Sequence, residues 1–464
     1  MNYLKLIFLF LFVNGIITCQ SQNDSPPNIV VIFIDDMGYG DIAPFGSTMN
    51  STPNLVQLAK EGMKLTSFYV ASPVCTPSRA SLMTGCYPQR VGLNQGSGHI
   101  VLFPGDKHGV NPDEITIAEL LKKKNYATGC FGKWHLGDQP SFLPTNHGFD
   151  TFYGIPYSND MWAGYEKWPF PDLPVMEDDK VKYLVKTMDD QANLAKRFTE
   201  EAIKFIKNNK DRPFFCYIPH AFVHWPRQAT SDFMANASTP EEGQVEEIDW
   251  SVGQIMRTLK DLKLDKNTLV LFTSDNGPAA GLSAGPLRGK KGSAYEGGHK
   301  VPTIAWWPGR ISAGSVCDEL ASTIDLLPTF AGLAEIELPK DRIIDGKDIW
   351  SLLSGQPDKK TPHDRFFYQQ GGELAAVRAG DWKLFLNGEL YNLRDDQSES
   401  NDVASNNPLI VQNLKKMLLN FADEITKNKR KVGVVENPRT LVPRPGVEGE
   451  EGYAPTLSLP RNGN

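Results

Sequence analysis

Two pairs of oxygen-bearing side chains each follow an apolar run that is typical of a buried strand. Asp35 and Asp36 come directly after the run from Asn28 to Ile34, and Asp275 and Asn276 follow a second run. In open α/β sheets, active sites form beyond the carboxyl ends of the strands, so we expect the two pairs to converge there. Three carboxylates and an amide make an all-oxygen site that suits Ca²⁺ or Mg²⁺. The alternative is that each Asp only caps the turn or helix after its strand.

A cysteine stands just before a predicted helix. Pro77 sits where a helix would begin, and residues 80–83 are compatible with its continuation, so Cys75 lies just before the N-terminus of that helix. The helix dipole and the free N–H groups there favour an anion. Arg79, one turn further on, adds a fixed positive charge. The alternative is a buried, inert cysteine beside a surface arginine.

The elements that must position these residues follow an alternating pattern. Strand-like apolar runs recur at 28–34, 127–131, 214–218, 269–273 and 301–306. Helical patterns lie between them, and the clearest has apolar residues three and four apart from Val245 to Leu262. Strands that alternate with helices predict an α/β fold in which helices flank a large, mainly parallel sheet. We place this domain at 28–355.

A different pattern begins after residue 355. Short strand-like runs with tight turns between them lie at 366–369, 374–378, 382–385 and 389–392. An amphipathic helix follows from about 408 to 425. This predicts a small antiparallel sheet with one packed helix at 365–426. Residues 427–464 carry five prolines and little periodicity, which predicts a Pro-rich tail that is extended, disordered or wrapped over the surface.

Composition and charge exclude several classes of protein. The chain has 464 residues, of which 40% are hydrophobic and 22% charged, as in a globular protein with a large core. Its net charge is −7 and no run of Lys and Arg exceeds three residues, which argues against a nucleic-acid partner. Collagen, coiled coils and polytopic membrane proteins are excluded as well. Six cysteines in a chain of this length do not make a disulfide framework.

Residues 1–19 have the pattern of a signal peptide. Lys5 supplies the positive charge, and the apolar run from Leu6 to Val13 is too short to span a bilayer. The alternative is a buried strand. Cys19 resembles the cleavage site of a bacterial lipoprotein, although Thr18 precedes it instead of the usual Gly, Ala or Ser. The pattern predicts export to the bacterial periplasm, the cell surface or the medium, and leaves a lipid anchor at Cys19 open.

The segment around Cys75 resembles the signature of the type I, formylglycine-dependent sulfatases. The family pattern Cys-x-Pro-x-Arg is met by residues 75–79, and the trailing Leu-Met-Thr-Gly also matches. Further family blocks stand in the family's order at 35–41, 132–137, 275–277 and 291–298. The segment that leads into the block at 132–137 departs slightly from the family pattern, at Asn125 and Phe131. Residues 154–158 and 247–249 look most like arylsulfatase A and the N-acetylgalactosamine-6-sulfatases.

The resemblance implies a fold, a cofactor and a metal site. The fold is the alkaline-phosphatase-like α/β one. Cys75 is converted to formylglycine (3-oxoalanine) by a formylglycine-generating enzyme, and one oxygen of the hydrated aldehyde attacks sulfur. Asp35, Asp36, Asp275 and Asn276, together with the modified Cys75, hold a divalent cation, Ca²⁺ before Mg²⁺.

The other residues that the resemblance assigns bind sulfate or move protons. Arg79 steadies the diol. Lys133 and Lys291 neutralise sulfate oxygens, and Ser158 hydrogen-bonds the sulfate. His135 takes a proton from the second diol oxygen, and His224 protonates the departing alkoxide. Lys133, Lys291 and His224 thereby also contact the substrate. Taken singly, each of these residues is more often structural or solvated. Their joint occurrence in family order overturns that interpretation.

The sequence therefore predicts a sulfuric ester hydrolase. Its predicted export suggests sulfated polysaccharides or their oligosaccharides as substrates. Two alternatives remain open: a phosphonate monoester or phosphodiester hydrolase of the same superfamily, and a catalytically inactive protein that binds sulfated glycans. Specificity for the leaving group is expected from loops such as 157–170, whose Trp162, Tyr165 and Trp168 either stack on sugar rings or pack the loop.

Overall fold

The computed structural model describes residues 26–356 and 358–453, so the predicted signal peptide at 1–19, with Cys19, lies outside the described residues. The strands are β1 Asn28–Ile34, β2 Met63–Leu65, β3 Phe68–Tyr69, β4 His108–Gly109, β5 Ala127–Lys133, β6 Thr151–Ile155, β7 Leu173–Glu177, β8 Lys180–Val185, β9 Phe214–Pro219, β10 Thr268–Ser274, β11 Thr303–Trp306, β12 Ser315–Cys317, β13 Ala321–Ser322, β14 Phe366–Gln370, β15 Glu373–Ala379, β16 Trp382–Phe385, β17 Leu390–Asn392 and β18 Gly433–Val434. The α-helices are α1 Pro53–Glu61, α2 Cys75–Thr84, α3 Ile117–Lys122, α4 Met188–Ala192, α5 Leu194–Asn208, α6 Ser231–Met234, α7 Pro240–Asp261, α8 Glu296–His299, α9 Leu326–Leu333, α10 Trp350–Leu353 and α11 Pro408–Asn428.

A ten-stranded sheet forms the centre of the molecule, in the order β12-β2-β11-β10-β1-β9-β5-β6-β7-β8. The central strands β10, β1, β9, β5 and β6 are parallel to their neighbours within that group. Every residue of β1, β9 and β10 is buried, which is the behaviour of strands covered on both faces of the sheet. Because β11 and β7 pair antiparallel at either side, the sheet is mixed. The predicted α/β fold with a mainly parallel large sheet is confirmed.

The C-terminal region forms the predicted small sheet. Its order is β14-β15-β16-β17 and all its pairings are antiparallel. Helix α11 packs on it through stacked rings of Phe367 and Phe421, whose centroids are 3.8 Å apart. Beyond α11, the described part of the tail lies against the large domain: β18 pairs antiparallel with β4, and Leu441 is buried.

Two negative findings apply to the described residues alone. No helix there combines the length and the apolar composition that crossing a bilayer requires. The five cysteines of that part of the chain, Cys75, Cys86, Cys130, Cys216 and Cys317, form no disulfide.

Candidate active site

The two predicted pairs of oxygen ligands meet at the carboxyl edge of the large sheet. β1 and β10 are adjacent and parallel, and their last residues lie opposite each other, so the residues that follow leave the sheet side by side. The Asp36 N–H donates to Asp275 Oδ1 at 3.1 Å, and Asn276 Nδ2 donates to Asp36 Oδ1 at 2.7 Å. Asp35, Asp36, Asp275 and Asn276 are all buried.

Two of the predicted site residues have a left-handed backbone. The φ angle is 63° at Asp36 and 60° at His135. Such a conformation costs a residue with a side chain about 1–3 kcal/mol and persists only where its surroundings enforce it. At Asp36, the hydrogen bond from the backbone N–H to Asp275 is one such constraint.

Cys75 is the first residue of α2, with Val74 as the N-cap. The helix thus begins two residues before Pro77, where the sequence predicted its start. A proline is tolerated in the first turn of a helix because its missing N–H would have no intrahelical partner. The Sγ atom lies 3.5 Å from Asp35 Oδ1, and burial, together with the Asp35 charge, raises the pKa of the thiol. The unmodified side chain is therefore a neutral thiol and a weak nucleophile.

Three cations balance the three carboxylates at this edge. Arg79 Nη2 lies 2.7 Å from Asp275 Oδ2, Lys133 Nζ lies 2.5 Å from Asp35 Oδ2, and Lys291 Nζ lies 2.7 Å from Asp36 Oδ1; we call these six side chains the edge cluster. Burial favours the neutral acid at Asp35, yet the Lys133 charge, aided by neighbouring cations, holds its pKa well below the usual range. Burial and the Asp35 charge raise the pKa of Asp275 to about 6.

The two predicted proton-transfer histidines each have one ring nitrogen fixed by a backbone carbonyl. His135 Nε2 lies 3.0 Å from the Leu102 oxygen, and His135 Nδ1 has no hydrogen-bond partner among the described residues. Because a carbonyl only accepts, the proton is on Nε2 and Nδ1 keeps a free lone pair. Burial and the Lys133 charge lower the pKa of His135 well below its usual value, so the ring is neutral. His224 Nδ1 lies 2.6 Å from the Trp225 oxygen, which leaves His224 Nε2 at 3.6 Å from Asp36 Oδ2.

The donor atoms at this edge fit a hard divalent cation. Asn276 Oδ1 is buried and accepts no hydrogen bond in the described chain, which is the state expected of an oxygen ligand awaiting a cation. One potential ligand atom from each of Asp35, Asp36, Cys75 and His224 lies within 4.8 Å of the others. Asp275 is not part of this group, and its Oδ2 is held by the Arg79 guanidinium.

The loop at 157–170 is divided between the site and the core. Ser158 Oγ accepts a hydrogen bond from Lys133 Nζ at 3.0 Å, so this serine touches the edge cluster. Trp162 is 6% exposed and belongs to the main hydrophobic core, so for it the packing interpretation holds. Trp168 is 46% exposed and stacks with Phe170.

Sequence reasoning missed one aromatic residue beside the site. A cavity of about 680 Å³ is lined by residues that include Asp160, Tyr165, Lys167 and Trp225. Trp225 is 46% exposed and meets the Tyr165 ring edge to face, with centroids 5.3 Å apart. The available signal was its position directly after His224 in the chain.

Comparison with known proteins agrees with this site. Residues 27–336 match the sulfatase family, and residues 290–424 match the C-terminal region of N-sulphoglucosamine sulphohydrolase. N-acetylgalactosamine-6-sulfatase of Canis lupus familiaris is 40% identical over 77% of this chain and 71% of its own. Arylsulfatase A of Homo sapiens is 38% identical over 79% of this chain and 76% of its own. The crystal structure of Ps i-CgsB in complex with k-i-k-neocarrahexaose has a TM-score of 0.77 at 30% identity, covering 88% of this chain and 95% of that one.

The fold and these matches thus define a hydrolase of sulfuric esters. The chain is a member of the sulfatase family, as the residues around Cys75 predicted. Its relatives include N-acetylgalactosamine-6-sulfatase and arylsulfatase A, the subgroup to which segments 154–158 and 247–249 pointed.

Proposed function

We propose that this sulfatase carries formylglycine at position 75 and, after export, removes sulfate from sulfated sugars. The position of Cys75 carries the proposal: it opens α2, and its Sγ is grouped within 4.8 Å with ligand atoms of Asp35, Asp36 and His224. A neutral thiol is a poor nucleophile there. Conversion by a formylglycine-generating enzyme, followed by hydration, supplies an oxygen nucleophile for the sulfur instead.

The edge cluster provides the positive charge that a sulfate ester requires. The chain as a whole carries −7, so attraction of the substrate must be local. Lys133 is fully buried and Lys291 is 24% exposed, and a fixed cation stabilises redistributed negative charge much more strongly in such surroundings than in water. We assign sulfate binding to these two lysines and Ser158, and we assign to Arg79 the orientation of the group at position 75.

A divalent cation completes this arrangement. Asp35, Asp36, Asp275 and Asn276 would hold it, and the oxygen-rich set favours Ca²⁺ over Mg²⁺. When bound, such a cation acts as a Lewis acid on a sulfate oxygen. With Asp35 and Asp36 engaged as its ligands, Lys133 and Lys291 are free to bind sulfate. Removal of the cation with EDTA should therefore lower the thermal unfolding temperature as well as sulfate release, and Ca²⁺ should restore both better than Mg²⁺.

The two histidines are suited to opposite proton transfers. His135 is neutral with a free Nδ1 lone pair, so it can accept the proton whose removal expels sulfate and restores the aldehyde. His224 presents Nε2 to the site, 3.6 Å from the Asp36 carboxylate, and we assign to it the donation of a proton to the leaving oxygen. A positioned group of either kind contributes roughly 10²- to 10⁴-fold to the rate.

The substrate class rests on the cavity beside His224. A group that leaves toward His224 meets Trp225 and Tyr165, and an exposed aromatic face suits a sugar ring. A relative named N-acetylgalactosamine-6-sulfatase and a solved structure with a bound neocarrahexaose also favour a sulfated carbohydrate. Export stays a prediction from residues 1–19, which cell fractionation and labelling of Cys19 with a lipid precursor would test.

The decisive test is product release from the chain co-produced with a formylglycine-generating enzyme. Mass spectrometry of the peptide spanning Cys75 measures the aldehyde, and sulfate and phosphate are measured over sulfated algal oligosaccharides, glycosaminoglycan fragments, aryl sulfate and phosphodiesters. Sulfate release that disappears in Cys75→Ala supports the proposal. Phosphate release without sulfate favours the phosphodiesterase alternative. Binding of a sulfated oligosaccharide without any turnover, and without the aldehyde, favours the glycan-binding alternative.

A further inference from the structure

A second cavity lies between the large sheet and the small C-terminal sheet, away from the residues of the edge cluster. Its volume is about 650 Å³. The large domain contributes Tyr39, Thr66, Tyr69 and Lys300 to its lining, and the small sheet contributes Arg378. None of the residues assigned to sulfate hydrolysis lines it, so its chemistry must be explained separately.

Next to this cavity lies a network that we call the interface cluster: the buried Glu296, Lys383 and Glu399 and the half-buried Arg378, of which Glu296 and Arg378 line the cavity. Lys383 Nζ lies 3.0 Å from Glu296 Oε1 and 2.8 Å from Glu399 Oε1. Glu296 also accepts from the hydroxyls of Tyr69 and Tyr368, at 2.6 and 2.8 Å. Both Glu296 oxygens are therefore satisfied by hydrogen bonds without any help from Lys300.

Lys300 adds a cation that has no such partner. It is 8% exposed, and no carboxylate of the described chain lies within 4 Å of its Nζ. Its Nζ lies over the face of Tyr39, 5.3 Å from the ring centroid. Burial lowers the pKa of this lysine, which expresses the cost of an unpaired charge there. Lys300, Arg378 and Lys383 together are three cations. The interface cluster contributes only two carboxylates, Glu296 and Glu399.

The rim does not remove this positive excess. Lys360 pairs with Glu319 at 2.9 Å, and Arg394 pairs with Asp381. Over the whole lining, five Lys and Arg residues face four carboxylates, in a chain whose net charge is −7. A cavity whose lining carries an excess of positive charge, in a protein that is acidic as a whole, fits an anionic ligand.

The cavity and the edge cluster lie at the same edge of the large sheet. β2, β11, β10 and β1 are successive neighbours, and Thr66 follows the end of β2 that lies at the same edge of the sheet as Asp35 and Asp36. Three interstrand steps separate β2 from β1, or about 14 Å at roughly 4.8 Å each. A monosaccharide sulfate cannot fill both places, whereas an oligosaccharide with several sulfates can.

We propose that this cavity is a second anion site, in which Lys300 and Arg378 bind a further sulfate group of a multiply sulfated glycan. The proposal rests on the function proposed above, since it assigns a second contact to the same substrate. It makes the sulfatase selective for chains that carry more than one sulfate. Lys300 acts in binding and takes no part in the chemical step.

The test compares Lys300→Gln with Lys360→Gln, which removes the same charge from an exposed, paired position on the rim. In the Cys75→Ala background, isothermal titration measures binding of chondroitin 6-sulfate and ι-carrageenan hexasaccharides and of inorganic sulfate. We expect at least one hexasaccharide to bind, Lys300→Gln to weaken it about tenfold, Lys360→Gln to change it less than twofold, and Lys300→Arg to retain most of the affinity. Circular dichroism and thermal unfolding verify that each variant is folded.

Three results of the binding measurements would overturn the proposal: no hexasaccharide binding, equal losses of affinity in Lys300→Gln and Lys360→Gln, or Lys300-dependent binding of inorganic sulfate alone. Turnover of aryl sulfate by the Cys75-containing chain separates this inference from the function on which it rests. If aryl sulfate is not hydrolysed at all, the proposed function fails. If the natural chain and the Lys300→Gln variant hydrolyse it equally well while the variant loses hexasaccharide binding, the second site is supported. If the Lys300→Gln variant instead loses aryl sulfate turnover and hexasaccharide binding in proportion, a separate site is excluded.

Discussion

The edge cluster and the interface cluster both bury charged side chains, but they treat their polar atoms differently. In the interface cluster, Glu296 accepts from two tyrosine hydroxyls and from Lys383, and its own N–H donates to Glu399 at 2.7 Å. Beside the edge cluster, Asn276 Oδ1 and His135 Nδ1 are buried without hydrogen-bond partners among the described residues.

The difference separates Glu296, whose hydrogen-bonded charge holds the fold, from the polar atoms beside the edge cluster, which await a ligand. A buried ion network stabilises a structure only when its hydrogen-bonding atoms are satisfied. An unsatisfied buried atom costs free energy, and it persists where a ligand or a reacting group satisfies it in the working state. We therefore expect substitutions in the edge cluster to change reaction rates, and substitutions of Glu296, Lys383 or Glu399 in the interface cluster to change stability.

The largest expected effect comes from Cys75→Ala. Loss of the nucleophile should lower sulfate release about 10⁴-fold or more, because the remaining binding groups cannot replace it. The temperature of unfolding should change little, since a neutral thiol 3.5 Å from Asp35 contributes little stability. Sulfate release and calorimetry measure the two quantities. Unchanged release would contradict the assignment of position 75.

The converse expectation concerns Lys383→Met. Lys383 is fully buried between Glu296 and Glu399, and its removal takes the ion-pair partner from both carboxylates. We expect the free energy of unfolding to fall by about 3–5 kcal/mol, as for other buried pairs that lose one partner. Urea unfolding measures this, with Lys427→Met on the exposed side of α11 as the control. If both variants lose the same free energy of unfolding, Lys383 does not stabilise the fold through its two ion pairs.

The pH dependence of stability tests the surroundings of His299, which lies beside the interface cluster. His299 Nε2 accepts from the Gln369 N–H at 3.2 Å, and burial with the Lys383 charge lowers the pKa of His299 to about 3. An unfolded histidine binds its proton near pH 6.5, so between that pH and 3 the unfolded chain takes up more protons. Stability therefore falls as pH falls below 6.5.

The variant His299→Gln measures that contribution. Its loss of stability between pH 7.5 and pH 5 should be about 2 kcal/mol smaller than that of the natural chain, as judged from urea unfolding at each pH. Parallel pH dependences in the two proteins would show that His299 has the same pKa folded and unfolded.

The smallest effect is expected at the cavity beside His224. Trp225→Ala should raise KM for a sulfated oligosaccharide about tenfold and leave kcat nearly unchanged, because an aromatic face contributes binding in the ground and transition states alike. Trp168→Ala is the matched control, since both tryptophans are 46% exposed but Trp168 does not line that cavity. Steady-state kinetics with the best oligosaccharide substrate decide between them.

Much of the fold and the site could be predicted from local patterns. The apolar run from Asn28 to Ile34 is strand β1, and the short runs after 365 are the small sheet, because alternation and continuous burial leave local signatures. Ligand pairs directly after β1 and β10 had to converge, since adjacent parallel strands end at the same edge. Pro77 misled the prediction of where α2 begins, because a proline is tolerated within a first turn as well as at its start.

The sequence by itself determined the family, through the signature at residues 75–85, and the α/β order of the large domain, since both depend on neighbouring positions along the chain. Only the tertiary structure decided that Trp225 faces a cavity while Trp162 joins the core. It alone also decided that Lys300 is buried without a carboxylate beside it. These properties depend on which distant segments pack together, and burial and charge pairing across such distances leave no periodic signal in a single sequence.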